Sequence, residues 1–450
     1  MNSEILTRTI EKTNLYTNYG KVSDIVGLVV ESLGPDKVAV GELCYIGDHH
    51  EGSIRAEVVG FRGRKVLLMP LGEIEGIRLG TSVFRAKKQF SIPVGRGLLG
   101  RIVNGLGEPI DGKGPINSQT TKTLHCQPPD PLNRRRVKEP LGTGVKALDG
   151  LVSLGLGQRM GIFAGSGVGK STLMGMIARH SSADVNVIAL VGERGKEVLD
   201  FIEDMLGSEG LRRSVVVVAT SDQPALIRLK APFVATAIAE YFRDFGKDVI
   251  LMMDSLTRVA MAQREVGLAA GEPPTSRGYT PSVFALLPRL LERAGMADSG
   301  SITGLYTVLV EGDDFDEPIA DASRAILDGH LVLSRSLASR GHFPPIDVME
   351  SVSRVMKDVV SEAHWKGAME AKEMVAAYTE AEDLINIGAY KHGNNARIDR
   401  ALHFIEPLNQ YLRQGLESDS NLGFEENIQT FLGVLASAPS ENTITSKNIG

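Results

Sequence analysis

Residues 159–180 read RMGIFAGSGVGKSTLMGMIARH and, after a short connection, residues 185–196 read VNVIALVGERGK. This spacing predicts a strand over Met160–Ala164, a glycine-rich turn over Gly165–Gly169, and a helix opened by Lys170, Ser171 and Thr172. Strand, glycine turn and helix in that order form a phosphate-binding P-loop. Gly165, Gly167 and Gly169, with Ser166 and Val168 between them, let backbone N–H groups converge on phosphate oxygens with no Cβ in the way. The helix N-terminus adds unpaired donors and partial positive charge. Lys170 is placed to reach the β- and γ-phosphates of a nucleotide such as ATP, and the Ser171 hydroxyl to ligate Mg²⁺. Ala164 stands where the motif usually has its first glycine; at a strand end its methyl group is tolerable.

The sequence around this loop alternates strands and helices. The runs RMGIFA, VNVIALVG, SVVVVAT, DVILMMD, ITGLYTVLV and HLVLS, between Val145 and Asp347, are continuous and β-branched. Such runs imply strands covered on both faces, hence a mostly parallel sheet flanked by helices, with the ligand crevice beyond the strand ends. Asp254 closes DVILMMD, where a carboxylate is placed to hold Mg²⁺; a helix N-cap is its structural alternative. Glu193 closes the VNVIALVGE run, where a carboxylate can orient and polarise the attacking water. A salt bridge to Arg194 or Lys196 is the alternative there.

Short β-rich runs from residue 20 to about 87 (VGLVVESL, KVAVGELCYI, IRAEVVGF, KVLLMPL, SVFRA) read as a small barrel. From Ser353 onward, apolar residues recur at helical spacing. The expected layout is a segment 1–17, a β-barrel over 18–88, an α/β P-loop domain over 89–350, a helical domain over 351–436 and a tail over 437–450. The P-loop domain includes a crossing segment over 89–144. The glycines of Gly95–Asp111 suggest tight turns between short strands and helices, with a compact linker as the plainer reading; Arg134-Arg135-Arg136 reads as a solvated patch, and the Gly- and Pro-rich stretch Gly267–Pro281 as a mobile loop. Ile5, Leu6 and Ile10 fit either a frayed end or a segment that docks on a partner.

Composition narrows the function classes. At 450 residues the chain should hold about three domains. The formal charge of −6 and the lack of stacking aromatics along the barrel strands argue against nucleic acid. Cys44 and Cys126 are the only cysteines and suit a reducing cytoplasm. No signal peptide and no run of about 18 apolar residues is expected, which leaves a peripheral membrane location open.

Together and in order, Gly165–Ser171, GERGKE, VILMMDSLTR and HFPPIDVMESVSRVM resemble the rotary ATPase α/β family. FAGSGVGKSTLMGMIAR, LLGRIVNGLGEPIDGKGP and PRLLERAG look closest to its flagellar and type III protein-export branch. That resemblance implies an Mg-dependent ATPase working as a homohexamer. Glu193 matches the family's catalytic glutamate, with Arg194 beside it in the catalytic set. Arg354 matches the arginine finger given to a neighbouring subunit, and Phe343 the aromatic that packs on adenine. The implied partners are a regulatory stator-like protein at the N-terminus, a central stalk protein, membrane proteins of an export gate, and export substrates with their chaperones. The implied location is the cytoplasmic face of the inner membrane export apparatus. A virulence-type secretion ATPase, a rotary synthase subunit, an RNA translocase and a non-hydrolysing subunit are the other readings; Glu193 disfavours the last.

Overall fold

The computed structural model describes residues 19–47, 52–86, 89–310, 314–416 and 423–438. The segment 1–17 and the tail beyond residue 438 lie outside the described residues. Six strands close a barrel in the order Tyr19–Val26, Val29–Leu33, Lys65–Pro70, Ile54–Arg62, Leu43–Ile46 and Ser82–Arg85. Its interior is filled by side chains including Val22, Val30, Cys44, Ile46, Val58, Leu68 and Val83. The first strand has no counterpart among the runs read from sequence. Only Val22 and Gly20 of YGKVSDIV are buried, so it lacks an apolar alternation.

The central domain is built on a nine-stranded sheet. Its path runs Ile346–Ser353, Gly329–Leu333, Arg159–Ala164, Ser301–Leu309, Asp248–Asp254, Val185–Val191, Ser214–Ala219 and Arg101–Asn104. The short strand Gly295–Met296 pairs beside it. All neighbours on the path are parallel except the first pair. Successive side chains of a strand point to opposite faces, and here they feed two cores. Val187, Ala189 and Val191 pack with Val215, Val217 and the helix Ala225–Asp244. Ile188 and Leu190 pack with Val216, Ile250, Met252 and the P-loop helix Lys170–His180. Burial on both faces is why these strands are uninterrupted apolar runs.

In three stretches the structure adds to the sequence expectation. The linker Gly95–Asp111 contributes a sheet strand, Arg101–Asn104, parallel to Ser214–Ala219. Arg101 Nε donates to Asp111 Oδ2 at 2.7 Å and holds that carboxyl well below the usual range. In the arginine run, Arg134 donates to the Glu292, Ala294 and Pro129 carbonyls, and Arg135 to those of Ala297 and Gly300. The two arginines therefore tie the crossing segment to residues 292–300. In the glycine- and proline-rich loop, Gly267 is buried inside the helix Leu256–Ala270, and the buried Tyr279 donates from its hydroxyl to Glu317 Oε1 at 3.1 Å.

The helical domain comprises Glu362–Asn386, Ala396–Leu412 and Phe424–Ala436, packed around Met374, Phe404, Leu408 and Phe431. It grips the short helix Lys146–Leu151, which leads into the P-loop strand. The buried Asp149 carboxylate accepts from Thr143 and from Asn427 Nδ2 at 3.2 Å. Tyr411 donates to Asn427 at 2.9 Å, and Gln414 Nε2 to the Gly144 carbonyl at 2.8 Å. The Gln414 amide donates to the Phe343 carbonyl at 2.8 Å.

Candidate functional site: a P-loop crevice with a divided residue set

The P-loop connects strand Arg159–Ala164 to helix Lys170–His180. Gly167 and Gly169 have φ of 76° and 107°, a region other residues rarely adopt, so the turn needs glycine at both. Ser166, Gly167 and Ser171 are exposed at the loop's mouth, while Val168 is buried and anchors it from beneath. Thr172 is half-buried on the first helical turn. At Gly165 an added Cβ would lie 2.8 Å from Arg335 Nη2, so that guanidinium covers the start of the loop.

Three strand ends converge beside the loop. Lys170 Nζ is 2.5 Å from Asp254 Oδ1 and 3.6 Å from Glu193 Oε1. The Thr307 hydroxyl, from the adjacent strand, donates to Asp254 Oδ1 at 2.8 Å. Asp254 is buried and does not cap the following helix; the Ser255 hydroxyl does, accepting from the Arg258 amide. The helix so capped carries Arg258, whose Nε is 3.6 Å from Glu193 Oε1. Gly192 makes this approach possible, because a Cβ there would lie 2.6 Å from Arg258 Cδ. Sequence reading missed Arg258 and Thr307. The signal for Arg258 was its place four residues after Asp254, on the first turn of the next helix.

Glu193 is the most perturbed carboxyl of this group. Burial pushes it up to about 7, reinforced by a hydrogen bond with Glu197 and the nearby Asp254 charge, against the pull of Lys170 and Arg258. Glu197 is held below the usual range as the acceptor of that bond. A carboxyl titrating near neutrality in a crevice is suited to exchange a proton with water. Arg194 is exposed; its amide donates to Glu197 Oε2 at 3.4 Å. Among the described residues it makes no ion pair with Glu193, whose partners are Lys170 and Arg258.

Phe343 and Arg354 occupy opposite ends of the edge strand Ile346–Ser353. Its register pairs Ile346 with Leu333 and Ser353 with Gly329, while Leu333 pairs with Ala164 at the P-loop. Phe343 lies just before the P-loop end, half-exposed, close to where Pro345 packs against Gly169. Arg354 lies at the other end, near the start of strand Arg159–Ala164. It is exposed, with Nη1 donating to the Leu327 carbonyl at 3.3 Å. At about 3.3 Å per residue the strand places it about 17 Å from the loop. Arg354 therefore cannot reach the phosphates of its own chain.

Oxygen donors suit Mg²⁺, which binds through few protein ligands plus phosphate and water. The Ser171 hydroxyl and the Asp254 carboxylate meet that requirement in one crevice, although Lys170 holds the carboxylate here. No cluster of three or more His, Cys, Asp or Glu side chains that could hold a metal ion is present among the described residues.

Comparison with known proteins adds three findings. The profile of the ATP synthase alpha/beta family, nucleotide-binding domain, matches residues 144–353; that family's beta-barrel domain matches 22–86, and the T3SS EscN ATPase C-terminal domain matches 360–430. The chain is 54% identical to the flagellum-specific ATP synthase of Bacillus subtilis over 95% of its length and 98% of that protein. It is 50% identical to the type 3 secretion system ATPase of Xanthomonas euvesicatoria, over 95% and 97% respectively. The assembled ATPase EscN of enteropathogenic E. coli superposes with a TM-score of 0.87 at 45% identity, covering 92% of this chain and all of that one. EscN in complex with its central stalk EscO gives 0.86.

Proposed function

We propose a motor function for this chain, which belongs to the family of flagellum-specific ATP synthases and type III secretion ATPases: it hydrolyses ATP in a homohexameric ring serving flagellar protein export. The observation that carries the ring is the division of its residues. Lys170, Glu193, Asp254 and Arg258 gather at one end of the sheet, and Arg354 lies at the other. A head-to-tail ring brings the Arg354 end of each subunit to the crevice of the next.

In this reading the P-loop amides from Gly165 to Thr172 hold the phosphates, and Phe343 packs on the adenine. Lys170 moves from Asp254 onto the β- and γ-phosphates. Glu193 orients the attacking water and takes its proton, while Arg194 and Arg258 shape the field around that carboxylate. Arg354 of the neighbouring subunit binds the charge that spreads over the transferring phosphoryl group. Ser171 and Asp254 would hold Mg²⁺, which neutralises phosphate charge when bound.

The partners follow the family. A central stalk protein joins the ring, as EscN is found in complex with its central stalk EscO. Residues 1–17 dock a stator-like regulator. The ring sits in the cytoplasm at the export gate, where it releases chaperones and hands over export substrates. Among the described residues no helix is long and apolar enough to cross a membrane, which fits a peripheral place. The relative from Xanthomonas and the EscN likeness support an injectisome equally well. Deleting the gene in its host separates the two, since only a flagellar role costs filaments and swimming.

Mixed rings test the mechanism. Glu193→Gln and Arg354→Ala rings should each lose at least about 100-fold in hydrolysis. Rings formed from both chains in equal amounts should recover up to about a quarter of wild-type activity, the share of interfaces that join an intact Glu193 to an intact Arg354. A mixture no more active than its parts would refute the action of Arg354 on a neighbour.

A further inference from the structure

At the Arg354 end of the sheet, Arg134, Arg135, Arg136, Lys138 and Arg159 line a cleft of about 620 Å³. Two carboxylates, Asp328 and Asp358, share it. Asp328 is taken by Arg159, which donates to it from its amide, Nε and Nη2, each at 3.0 Å. Arg159 Nη1 also pairs with Glu292 at 2.5 Å, and Arg134 approaches the same carboxylate at 3.5 Å. Arg135, Arg136 and Lys138 have no ion-pair partner among the described residues. Arg134 titrates below an ordinary arginine because of burial and the fields of Arg159 and Arg243. The cleft thus holds more positive charge than its carboxylates neutralise.

Three of the cations, Arg134, Arg135 and Arg159, are also held in place. Carbonyls of residues 292–300 hold the guanidinium groups of Arg134 and Arg135, and that of Arg135 keeps its charge uncompensated among the described residues. A guanidinium so held keeps its charge and its unused N–H donors for a phosphate oxygen. The volume falls in the range that encloses a small ligand.

We propose that this cleft binds a small soluble anion carrying two or more terminal phosphate groups, at a site separate from the P-loop. Occupancy is felt at Arg354. The Asp328 carbonyl accepts from the Arg354 amide at 3.1 Å and from Gln158 Nε2 at 3.2 Å, and Val355 lines the cleft. A phosphate group competing for Arg159 loosens the Asp328 side chain and with it the segment that carries Arg354. This second step rests on the proposed role of Arg354 toward a neighbour; the binding step does not.

The probe is inorganic tripolyphosphate, titrated by calorimetry into the full chain with the P-loop filled by a non-hydrolysable ATP analogue and Mg²⁺ in excess. One equivalent should bind per chain, weakening steeply with salt. Arg136→Ser with Lys138→Ser removes two cations that make no ion pair, and should weaken binding about tenfold or more. No binding to wild type, or equal binding to the double variant, would overturn the site. ATP hydrolysis with the probe should change at least about twofold in wild type and stay constant in the double variant. An unchanged wild-type rate despite binding would overturn the link to Arg354. The mixed rings described above report separately on the role of Arg354 itself.

Discussion

Replacing Glu197 by glutamine tests the chemistry assigned to Glu193 without touching the P-loop. Glu193 titrates at about 7, and kcat/KM reports the ionisation of the free enzyme. If the ionised form is the active one, about a tenth of it is present at pH 6 and about nine-tenths at pH 8, a tenfold rise. The hydrogen bond with Glu197 is one cause of that raised value. A glutamine amide there donates to the carboxylate and so favours its charged form. The acidic limb should then move to lower pH, and the rise between pH 6 and 8 should shrink to below about threefold. The assay is phosphate release at subsaturating ATP across pH 5.5–8.5, with circular dichroism confirming the fold at each pH. A variant that keeps the full tenfold rise would refute the coupling of the two carboxyls. A wild-type profile flat from pH 6 to 8 would remove Glu193 as the titrating base.

Other outcomes follow from the same geometry. Among the described residues, Lys170→Ala leaves the buried Asp254 with Thr307 as its one close partner, so hydrolysis should be lost and the melting temperature should fall, read by phosphate release and thermal melting. Glu193→Gln removes a carboxyl whose folded-state pKa is raised. Its protonated form adds stability below its unfolded pKa, and this is lost as pH rises through about 7. The melting temperature of that variant should therefore gain on wild type between pH 5 and pH 8. Gly175→Ala would place a Cβ 2.8 Å from the Met205 carbonyl oxygen, an overpacking of about 1–3 kcal/mol visible in urea unfolding. Arg293→Met strips the buried Glu240 of its bidentate partner and should cost about 3–5 kcal/mol in the same assay.

The sequence alone carried the P-loop, the strand that ends in Asp254 and the position of Glu193, because each lies in a contiguous motif whose geometry is local. Arg258 comes to the crevice on the first turn of the helix after Asp254, a spacing that hints at its place but not at its partner, whereas Thr307 comes only through packing of the next strand, which no spacing encodes. The division of Phe343 and Arg354 depends on strand register, which is a property of pairing partners and not of the strand itself. Tyr19–Val26 escaped, and the place of Arg101–Asn104 in the sheet was not legible, for a simpler reason. One buries little, and the other is four residues long between glycine turns, so neither shows periodicity. The arginine run looked solvated because its acceptors are backbone carbonyls about 160 positions away.

The hydrogen bonds that hold the helical domain to helix Lys146–Leu151 and to the Phe343 carbonyl make that domain a lever with a short arm. A displacement of Ala396–Leu412 has no slack linker between it and the P-loop domain. It passes through Asn427, Tyr411 and Gln414 into the residues just before the P-loop strand and into the aromatic at its mouth. The same few hydrogen bonds thus fix both the helices and the approach to the P-loop, so loosening any one of them disturbs both ends at once.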